Sequence, residues 1–535
     1  MRQLACIALF LAATVSQGAA NFDGADWWAT VKVLADDRLE GRATGSAGER
    51  LAEEYVVGRL KALGVAPAGS DGYYQPIKLR SREIIEPDTS LALVEGGRAE
   101  ALTIGEHYVL NARVELAAEL EAPLVFVGYG LRIPAMHYDD LAGIDLKGKV
   151  AVFLAGSPRA VPSALAAHSQ SMAVRWRALR EAGAIGMIVV PNPASMDIPW
   201  PRIALNRSRP SMYLVGSEFD ETDGARFYAT FNPAHAELLF RGTGHAFAEI
   251  AALGRDRRPV PRFPLVPSIR ARTRLALTDV DSANVVAAIR GRDPALRDQY
   301  VVLSAHIDHL GVGEPVNGDR INNGAMDNAS GSALLLDLAR EFARLPSAPR
   351  RSILFLWVTG EEKGLLGSRY FVARPTVPAG AIVADINTDQ FLPIVPLRVL
   401  TAYGLAESDL GGQLRAATAG MGIRIQSDPE PLRNVFIRSD QYSFIRAGIP
   451  SLMLAVGADP GSADDKVLRA WRTERYHAPS DDTDQPVDLA AAQRFEEIMF
   501  ALTMRVADDP RRPSWRPESF FRQFVPHGGP ASRSP

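Results

Sequence analysis

The first residues that could do chemistry are His306 and Asp308, which follow an apolar run predicted to be a strand over residues 300–304. Because they are two positions apart, their side chains share one face of an extended chain. The carboxylate of Asp308 could therefore orient the imidazole of His306 as a metal ligand. A structural histidine is the commoner explanation of such a pair, so the pair predicts a metal site only together with further ligands.

Three more carboxylates follow along the chain. Asp327 precedes a helix predicted over residues 332–344. There it could stabilise the helix N-terminus, or it could bridge two metal ions with its two oxygens. Glu361 and Glu362 follow a strand predicted over residues 352–358. Adjacent acids at the end of a buried strand repel each other unless cations or protons neutralise them, which favours a metal site.

Asp389 and His477 complete the set of candidate ligands. Asp389 follows a strand predicted over residues 381–386, and His477 lies in a polar segment. Two histidines and three carboxylates suit two zinc ions bound through nitrogen and oxygen, with Glu361 left free as a general base. The only cysteine is Cys6, so cysteine ligands and cysteine nucleophiles are excluded from the mature chain.

The strands that carry these residues alternate with helical segments from residue 284 onward, and another strand is predicted over residues 451–455. This alternation predicts an α/β sheet with parallel strands, in which ligands bind beyond the carboxyl ends of the strands. Residues 27–63 are predicted to form two helices around a Gly-rich turn that lacks the spacing of a phosphate loop. Short β-like runs over residues 122–262 contain no catalytic cluster and suggest an inserted module.

The N-terminus has the pattern of a secretory signal peptide. Arg2 precedes an apolar run over residues 4–15, and small residues lead to a cleavage site near Ala20. The run is shorter than the roughly 20 residues that a membrane span needs, so no integral membrane segment is expected in the mature chain. The net charge of −3 over 535 residues includes no basic block, which argues against a nucleic-acid partner.

From about residue 27 to 484 the chain resembles the two-zinc aminopeptidases related to glutamate carboxypeptidase, in the bacterial type with an inserted protease-associated domain. The resemblance rests on the residue types, order and spacing of the segments described above. It implies two zinc ions that share one bridging carboxylate, the first bound by His306, Asp327 and Asp389 and the second by Asp327, Glu362 and His477. It also implies that Glu361 is the general base and that Asp308 orients His306.

The resemblance implies an α/β zinc-peptidase sandwich with a mostly parallel central sheet flanked by helices, plus an inserted β-rich protease-associated domain. Residues 126–130 and 145–150 resemble segments of that inserted domain. The expected organisation is a signal peptide (1–20), the N-terminal part of the peptidase domain (21–121), the protease-associated domain (122–262), the catalytic domain (263–508) and a polar, loosely attached C-terminal tail (509–535).

Two positions depart from the family pattern. Gln441 stands where relatives frequently have His, and Met326 stands where many have Asp. Neither change removes an expected ligand, so both bear on substrate preference. Five of the histidines outside the motifs are interpreted as structural or surface residues: His107, His137, His168, His235 and His245. His309 lies closer to the motifs and is interpreted as a residue that supports a ligand or is unrelated to the site.

The expected function is that of a secreted metallopeptidase, periplasmic or extracellular, in which a di-zinc-activated water cleaves peptide bonds and N-terminal residues are released. Glu361 would pass the proton to the leaving amine, and Tyr476 would either donate to the oxyanion or only pack at a strand end. A carboxypeptidase or N-acyl amide hydrolase is the alternative, for which Arg433 and Arg438 could bind a substrate carboxylate. A non-catalytic binding relative is a third possibility, and the oligomeric state and the preferred residue are left open.

Overall fold

The computed structural model describes residues 20–378 and 380–526. The predicted signal peptide, apart from Ala20, lies outside the described residues, as does the end of the predicted tail over residues 527–535. Within the described ranges, no helix is both long and apolar enough to cross a membrane.

The helices are α1 (Gly24–Leu34), α2 (Ala47–Leu63), α3 (Ser163–Gln170), α4 (Met172–Glu181), α5 (Trp200–Ala204), α6 (Glu237–Phe240), α7 (Phe247–Arg255), α8 (Ser330–Ala343), α9 (Leu366–Ala373), α10 (Leu410–Ala417), α11 (Gln441–Arg446), α12 (Ala463–Glu474) and α13 (Leu489–Asp508).

The strands are β1 (Ala66–Pro67), β2 (Tyr74–Ile84), β3 (Ser90–Glu95), β4 (Arg98–Leu102), β5 (Tyr108–Leu110), β6 (Glu119–Phe126), β7 (Arg132–Ile133), β8 (Tyr138–Asp139), β9 (Val150–Leu154), β10 (Gly186–Val190), β11 (Ser211–Leu214), β12 (Tyr228–Phe231), β13 (Phe263–Arg272), β14 (Leu275–Ile289), β15 (Tyr300–His306), β16 (Gly311–Val316), β17 (Asp319–Asn322), β18 (Ser352–Val358), β19 (Ile382–Thr388), β20 (Val399–Tyr403), β21 (Arg424–Gln426) and β22 (Ser451–Gly457).

The first sheet has ten strands, in the order β11-β2-β14-β18-β15-β19-β22-β20-β21 with β1 beside β14. The four central strands β18, β15, β19 and β22 are parallel, as expected. The strands on either side join the centre antiparallel, at β14-β18 and at β22-β20, although β20 and β21 are parallel to each other. The sheet is therefore mixed, and the prediction of a mostly parallel sheet is wrong outside the centre. At β2 and β14 the reason is the insertion: the chain leaves at the end of β2 and returns at the start of β14, which places Leu275 opposite Ile84 and makes these two strands antiparallel.

The second sheet has eight strands, in the order β4-β3-β13-β6-β9-β10-β12-β5. It begins with β3 at Ser90 and ends with β13 at Arg272, so it starts well before the predicted boundary at residue 122. Helices α3 to α7 lie within the same stretch of chain. One strand of the insertion, β11, leaves this sheet and pairs with β2 at the edge of the first sheet. The identity of this second module as a protease-associated domain stays a prediction.

The central strands of the first sheet are buried on both faces because helices cover both sides. On β15, Val301, Leu303 and Ala305 pack into one core with α1, α8 and α13, whereas Val302 faces a second cluster that contains Phe371 and Phe444. This alternation is the period of two expected for a strand. Ligands of such sheets bind beyond the carboxyl ends of the strands, which is where the candidate metal ligands lie.

The described part of the C-terminal tail is firmly attached, so the expectation of a loose tail is wrong for residues 509–526. The Nε1 of Trp515 donates to the carbonyl oxygen of Gly448 at 2.9 Å. Phe521 is buried against Phe436 and Tyr442. The Arg, Pro and Ser content suggested a mobile tail, but the aromatic residues among them determine how it packs.

Candidate metal centre

The predicted ligands lie at the ends of three neighbouring parallel strands. β15 ends at His306, β18 is followed by Glu361 and Glu362, and β19 is followed by Asp389. Because β18, β15 and β19 are adjacent in the sheet, their carboxyl ends meet at one edge. The loop before α8 brings Asp327 to the same place.

The first group consists of His306, Asp327 and Asp389, all of them buried. The Nε2 of His306 lies 3.2 Å from an oxygen of Asp327 and 3.2 Å from an oxygen of Asp389. One ligand atom from each residue lies within 4.8 Å of the others, as binding of a single ion requires.

The second group surrounds the other oxygen of Asp327. The Nε2 of His477 lies 3.2 Å from Asp327 Oδ2 and 3.3 Å from Glu362 Oε2. Burial lowers the pKa of His477, but the carboxylates of Glu362 and Asp327 outweigh this effect and raise that pKa to about 9. Asp327 thus directs one oxygen towards each group, which is the arrangement that a bridging carboxylate needs. The structure brings together all five predicted ligands.

Asp308 acts differently from the prediction. The Nδ1 of His306 lies 3.0 Å from the backbone carbonyl oxygen of Asp308 and 3.8 Å from its carboxylate. The carboxylate instead accepts hydrogen bonds from Thr44 Oγ1 at 2.8 Å and from the backbone N–H of Glu361 at 3.0 Å. The residue therefore orients His306 through its main chain and holds the Glu361 loop through its side chain. Thr44 comes from the Gly-rich turn that was interpreted as structural.

Glu361 and Glu362 have different surroundings although they are adjacent. Burial raises the pKa of Glu361 well above its usual range, and the nearby carboxylates of Asp389 and Glu362 raise it further. Burial also raises the pKa of Glu362, but His477 and His309 outweigh it and hold that pKa well below the usual range. Glu362 is thus stabilised as a carboxylate among histidines, whereas Glu361 is better suited to accept a proton.

His309 was set aside in the sequence, but it belongs to the centre. It is fully buried, and its Nδ1 lies 2.8 Å from Glu362 Oε1 and 4.0 Å from Asp327 Oδ2. Gly324 keeps the neighbouring chain close, because a Cβ at that position would lie 2.6 Å from the His309 ring. A second histidine at the same strand end was the signal that could have identified it.

Asp481 is a second residue that the sequence interpretation missed. Its carboxylate accepts hydrogen bonds from the backbone N–H groups of Met326 and Asp327, both at 3.0 Å. It lies four residues after His477, so it connects the two loops that supply ligands. Met326 contributes its main chain to this contact, which explains how an apolar residue is tolerated beside a ligand. Gln441 likewise has a structural contact, since its side chain bonds to Asn387 behind the site.

A cavity of about 310 Å³ opens onto these residues. The residues that line it include four carboxylates and an apolar group: Asp327, Glu361, Glu362 and Asp389, then Leu392, Tyr403, Met453, Val456 and Leu468. A larger cavity of about 990 Å³ lies alongside, between the second module and α9 and α11. None of the five predicted ligands lines the larger cavity, so the smaller one is the candidate active site.

Four arginines line the smaller cavity, and three of them pair with carboxylates. Arg433 and Arg438 both pair with Asp197, which belongs to the second module. Arg472 pairs with Glu430 at 3.0 Å. The fourth, Arg113, donates to the backbone carbonyl oxygen of Glu362 at 3.1 Å and makes no ion pair with any described residue.

Tyr476 precedes His477 and lines the smaller cavity, and its hydroxyl accepts a hydrogen bond from Arg438 Nη2 at 2.9 Å. Burial raises the pKa of this hydroxyl, so the group keeps its proton at neutral pH. A hydroxyl that accepts from a guanidinium has its own proton free to donate elsewhere. The contact therefore goes beyond packing at a strand end.

The donor set fits zinc. Buried polar atoms without a hydrogen-bond partner among the described residues cluster here: Asp327 Oδ2, Glu362 Oε1 and both ring nitrogens of His309. His309 Nδ1 and Glu362 Oε1 lie close together, but neither has a partner with hydrogen-bond geometry. Such atoms cost free energy unless a cation or water satisfies them. Imidazole nitrogens and carboxylate oxygens are the ligands that zinc takes when thiolates are absent.

Comparison with known proteins identifies the segment that carries the site. Residues 284–503 match the model of Peptidase family M28. The chain is 29% identical over 180 residues to Leucine aminopeptidase 1 of Trichophyton rubrum, covering 32% of this chain and 47% of that protein. It is 31% identical over 192 residues to Probable glutamate carboxypeptidase AMP1 of Arabidopsis thaliana, covering 33% of this chain and 25% of that protein. The chain spans about half or less of the length of the curated relatives it matches.

A solved structure extends the similarity to both sheets. The aminopeptidase from Aneurinibacillus sp. strain AM-1 superposes with a TM-score of 0.53 at 18% sequence identity, over 92% of this chain and 95% of that one. At this identity the match concerns the fold. It supports the mixed α/β architecture described above.

Proposed function

We propose that the chain, whose residues 284–503 match the model of Peptidase family M28, is a zinc-dependent aminopeptidase. The observation that carries the proposal is the placement of Asp327, which directs one oxygen towards His306 and the other towards His477 and Glu362. The proposal includes two zinc ions, one for each group. The similarity to a leucine aminopeptidase supports the activity.

Five residues would hold the ions, with His309 beside the second group: His306, Asp327, Asp389, Glu362 and His477. Zinc bound there supplies a Lewis acid and lowers the pKa of a water molecule. Glu361 accepts a proton from the attacking water and delivers it to the leaving amine. Asp308 keeps Glu361 in place through its hydrogen bond to the Glu361 N–H.

Tyr476 is proposed as the donor to the oxygen that becomes negative during the reaction. Arg438 donates to the hydroxyl of Tyr476, which aligns its own proton away from the guanidinium. A donor fixed before the reaction stabilises developing charge without reorganisation. The hydroxyl is buried and stays protonated, as this role requires.

The charges in the cavity favour a substrate with a free amino group. Three of the four carboxylates that line the cavity are proposed zinc ligands, so the ions offset their charge, and Glu361 is the acid left free; three of the four arginines are already paired with acids. A positively charged N-terminus complements this surface, and a negatively charged C-terminus does not. Arg433 and Arg438, which could have supported a carboxypeptidase, are both occupied by Asp197.

Arg113 is the observation that favours a second candidate, a peptidase that binds a substrate carboxylate. It lines both cavities and has no ion-pair partner among the described residues. A carboxypeptidase would place the substrate C-terminus against it. Its hydrogen bond to Glu362 and its buried position beside two glutamates give it a structural role as well.

One peptide set tests the two functions. The peptide is supplied free at both ends, N-acetylated, or C-amidated, and the products are identified by mass spectrometry. An aminopeptidase removes N-terminal residues from the free and the C-amidated peptides and spares the N-acetylated one. Cleavage of the N-acetylated peptide from its C-terminus would establish the carboxypeptidase instead.

Export is part of the same proposal, with the signal-like pattern of the first twenty residues as its support. N-terminal sequencing of the protein recovered from outside the cytoplasm tests it. Export with cleavage near Ala20 is the expected result, and an intact Met1 in the cytoplasmic fraction would contradict it.

A further inference from the structure

Besides contributing Arg113 to the lining of the metal cavity, the second module contacts two lining residues, Arg433 and Arg438, through residues 192–199, which we call the Asp197 loop. It is fixed at its end, because the Trp200 Nε1 donates to the carbonyl oxygen of Gly105 in the same module at 2.8 Å. Arg202, just beyond, donates to the backbone oxygens of Tyr476 at 3.0 Å and of Glu474 at 3.1 Å. The loop is therefore anchored both to its own module and to the segment that carries His477.

At the centre of this loop, Asp197 contacts two arginines of the catalytic domain. One carboxylate oxygen pairs with Arg433 and the other with Arg438. The Asp197 side chain is only 9% exposed, whereas that of Arg438 is 39% exposed. Although burial raises the pKa of Asp197, the two arginines hold it below its usual range, so the carboxylate stays charged.

The position of this triad matters because both arginines line the metal cavity. On the far side of Asp197, a separate cavity of about 390 Å³ is lined by the Asp197 loop together with Arg433 and Arg472. The triad thus forms the wall between the two spaces. The lining of the metal cavity also includes the apolar residues Leu392, Met453 and Val456.

We infer that Asp197 is a specificity-determining residue: by engaging Arg433 and Arg438 it leaves the pocket selective for neutral, apolar N-terminal side chains. The inference rests on the proposed aminopeptidase function and adds the substrate class. Without Asp197, Arg433 keeps a contact with Glu430 at 3.5 Å, but Arg438 loses its only carboxylate among the described residues. Arg438 then becomes a free cation that an acidic side chain of a substrate can reach.

The test compares leucyl and glutamyl 4-nitroanilides in wild type and in Asp197→Asn. The glutamyl-to-leucyl ratio of kcat/KM is expected to rise at least about tenfold, which corresponds to about 1.4 kcal/mol. Zinc content should stay unchanged, since Asp197 touches no ligand. Because Arg438 also contacts Tyr476, absolute kcat can change, but the ratio cancels any effect common to both substrates.

Two further variants identify the cause. Arg438→Gln in the Asp197→Asn background should return the ratio to the wild-type value. Glu221→Gln is the matched control, since Glu221 is also a carboxylate of the second module that pairs with two arginines, Arg369 and Arg446, but in the larger cavity. It should leave the ratio unchanged. A rise of equal size in Glu221→Gln would mean that any loosened contact between the module and the catalytic domain changes selectivity, and would overturn the assignment.

The proposal is also contradicted if Asp197→Asn folds, retains zinc and keeps the wild-type ratio. Should that variant fail to fold, Arg438→Gln alone decides. In Arg438→Gln, the glutamyl-to-leucyl ratio of kcat/KM should stay within about twofold of the wild-type value, because Asp197 already neutralises Arg438. A ratio well below the wild-type value would mean that Arg438 binds acidic substrates in wild type, and would overturn the proposal. Calorimetric Kd values for leucine and glutamate hydroxamates give the same comparison without turnover. Binding of these ligands with no release of N-terminal residues would refute the proposed function separately from the pocket assignment.

Discussion

The two sheets of this protein share a feature but differ in chemistry. Each contains four consecutive parallel strands, β18-β15-β19-β22 in the first and β6-β9-β10-β12 in the second. In the first sheet, the residues at or just after the strand ends include His306, Glu361 and Asp389. In the second, the residues that directly follow the strands are Val127, Ala155, Pro191 and Asn232.

The difference shows that parallel strands bring residues together at one edge of a sheet, and that the types of these residues decide whether a metal centre can form there. Strand ends of the first sheet carry histidines and carboxylates, and these converge into a buried centre. The second sheet contributes through loops instead, with Asp197 and Glu221 each pairing with two arginines of the catalytic domain. The second module contacts residues that line the cavity, while the first sheet supplies candidate metal ligands.

The largest expected effect comes from Asp327→Asn. This change removes a charged oxygen ligand from both groups at once. The value of kcat/KM should therefore fall more than about 100-fold, which exceeds the loss of about 10- to 100-fold that is typical of residues that only support a metal ligand. Hydrolysis of a leucyl 4-nitroanilide measures it. Asp281→Asn, on the exposed part of β14 in the same sheet, serves as the control and should behave as wild type. Activity above a tenth of wild type in Asp327→Asn would argue against a shared ligand.

The variants Glu361→Gln and Glu362→Gln compare two adjacent residues that follow the same strand, β18. Glu361→Gln should keep zinc and lose about 10²-fold or more in kcat, because a positioned general base is removed. Glu362→Gln should bind zinc more weakly, since Glu362 faces His477 and His309. Titration of zinc into the two apo variants, with kcat of the loaded forms, separates the roles. The opposite pattern would mean that the two glutamates exchange roles.

A smaller effect concerns His168 of α3, which joins the second module to the catalytic domain. Its Nδ1 lies 2.8 Å from the hydroxyl of Tyr442, and rings of the C-terminal segment surround it. Burial lowers the pKa of His168 to about 4, with Arg446 and Arg177 adding to the effect. The unfolded chain takes up this proton near pH 6.5, so the stability from neutral His168 is complete above that pH and is lost between pH 6.5 and 4.

Between pH 7.5 and 5 this loss should be about 2 kcal/mol in the free energy of unfolding. Urea unfolding at the two pH values measures it in wild type and in His168→Gln. The variant should be less stable at pH 7.5 but should lose less on acidification, because it has no imidazole to protonate. Equal losses in the two proteins would show that other groups cause the acid sensitivity.

Much of the central sheet could be predicted from local sequence. The strand over residues 352–358 was predicted with the bounds that the structure gives, because its apolar run is continuous and bounded by polar residues. Four of the five ligands could be proposed because each follows a predicted strand or precedes a predicted helix, whereas His477 lies in a polar segment and was proposed because it completes the set. The start of the second sheet at Ser90 was missed, since β3 and β4 are short and half exposed and carry a weak pattern.

Other features depend on contacts between distant segments, which local sequence does not encode. Asp197 reaches Arg438 across 241 positions, and no spacing pattern points to that pair. The carbonyl oxygen of Asp308, not its carboxylate, contacts His306, a choice that depends on how the strand ends. His309 could have been proposed from its position near the end of β15, but its role depends on its contact with Glu362, which follows a different strand.

The zinc content of three proteins tests the central claim most directly. Besides the centre, the described residues contain one other group suited to a metal, Glu106, His107 and His235, at the surface of the second module. Elemental analysis should find about two zinc ions per chain in wild type and in His235→Ala, and a large loss in Asp327→Asn. Zinc retained in Asp327→Asn but lost from His235→Ala would contradict the account, because the metal would then belong to the second sheet.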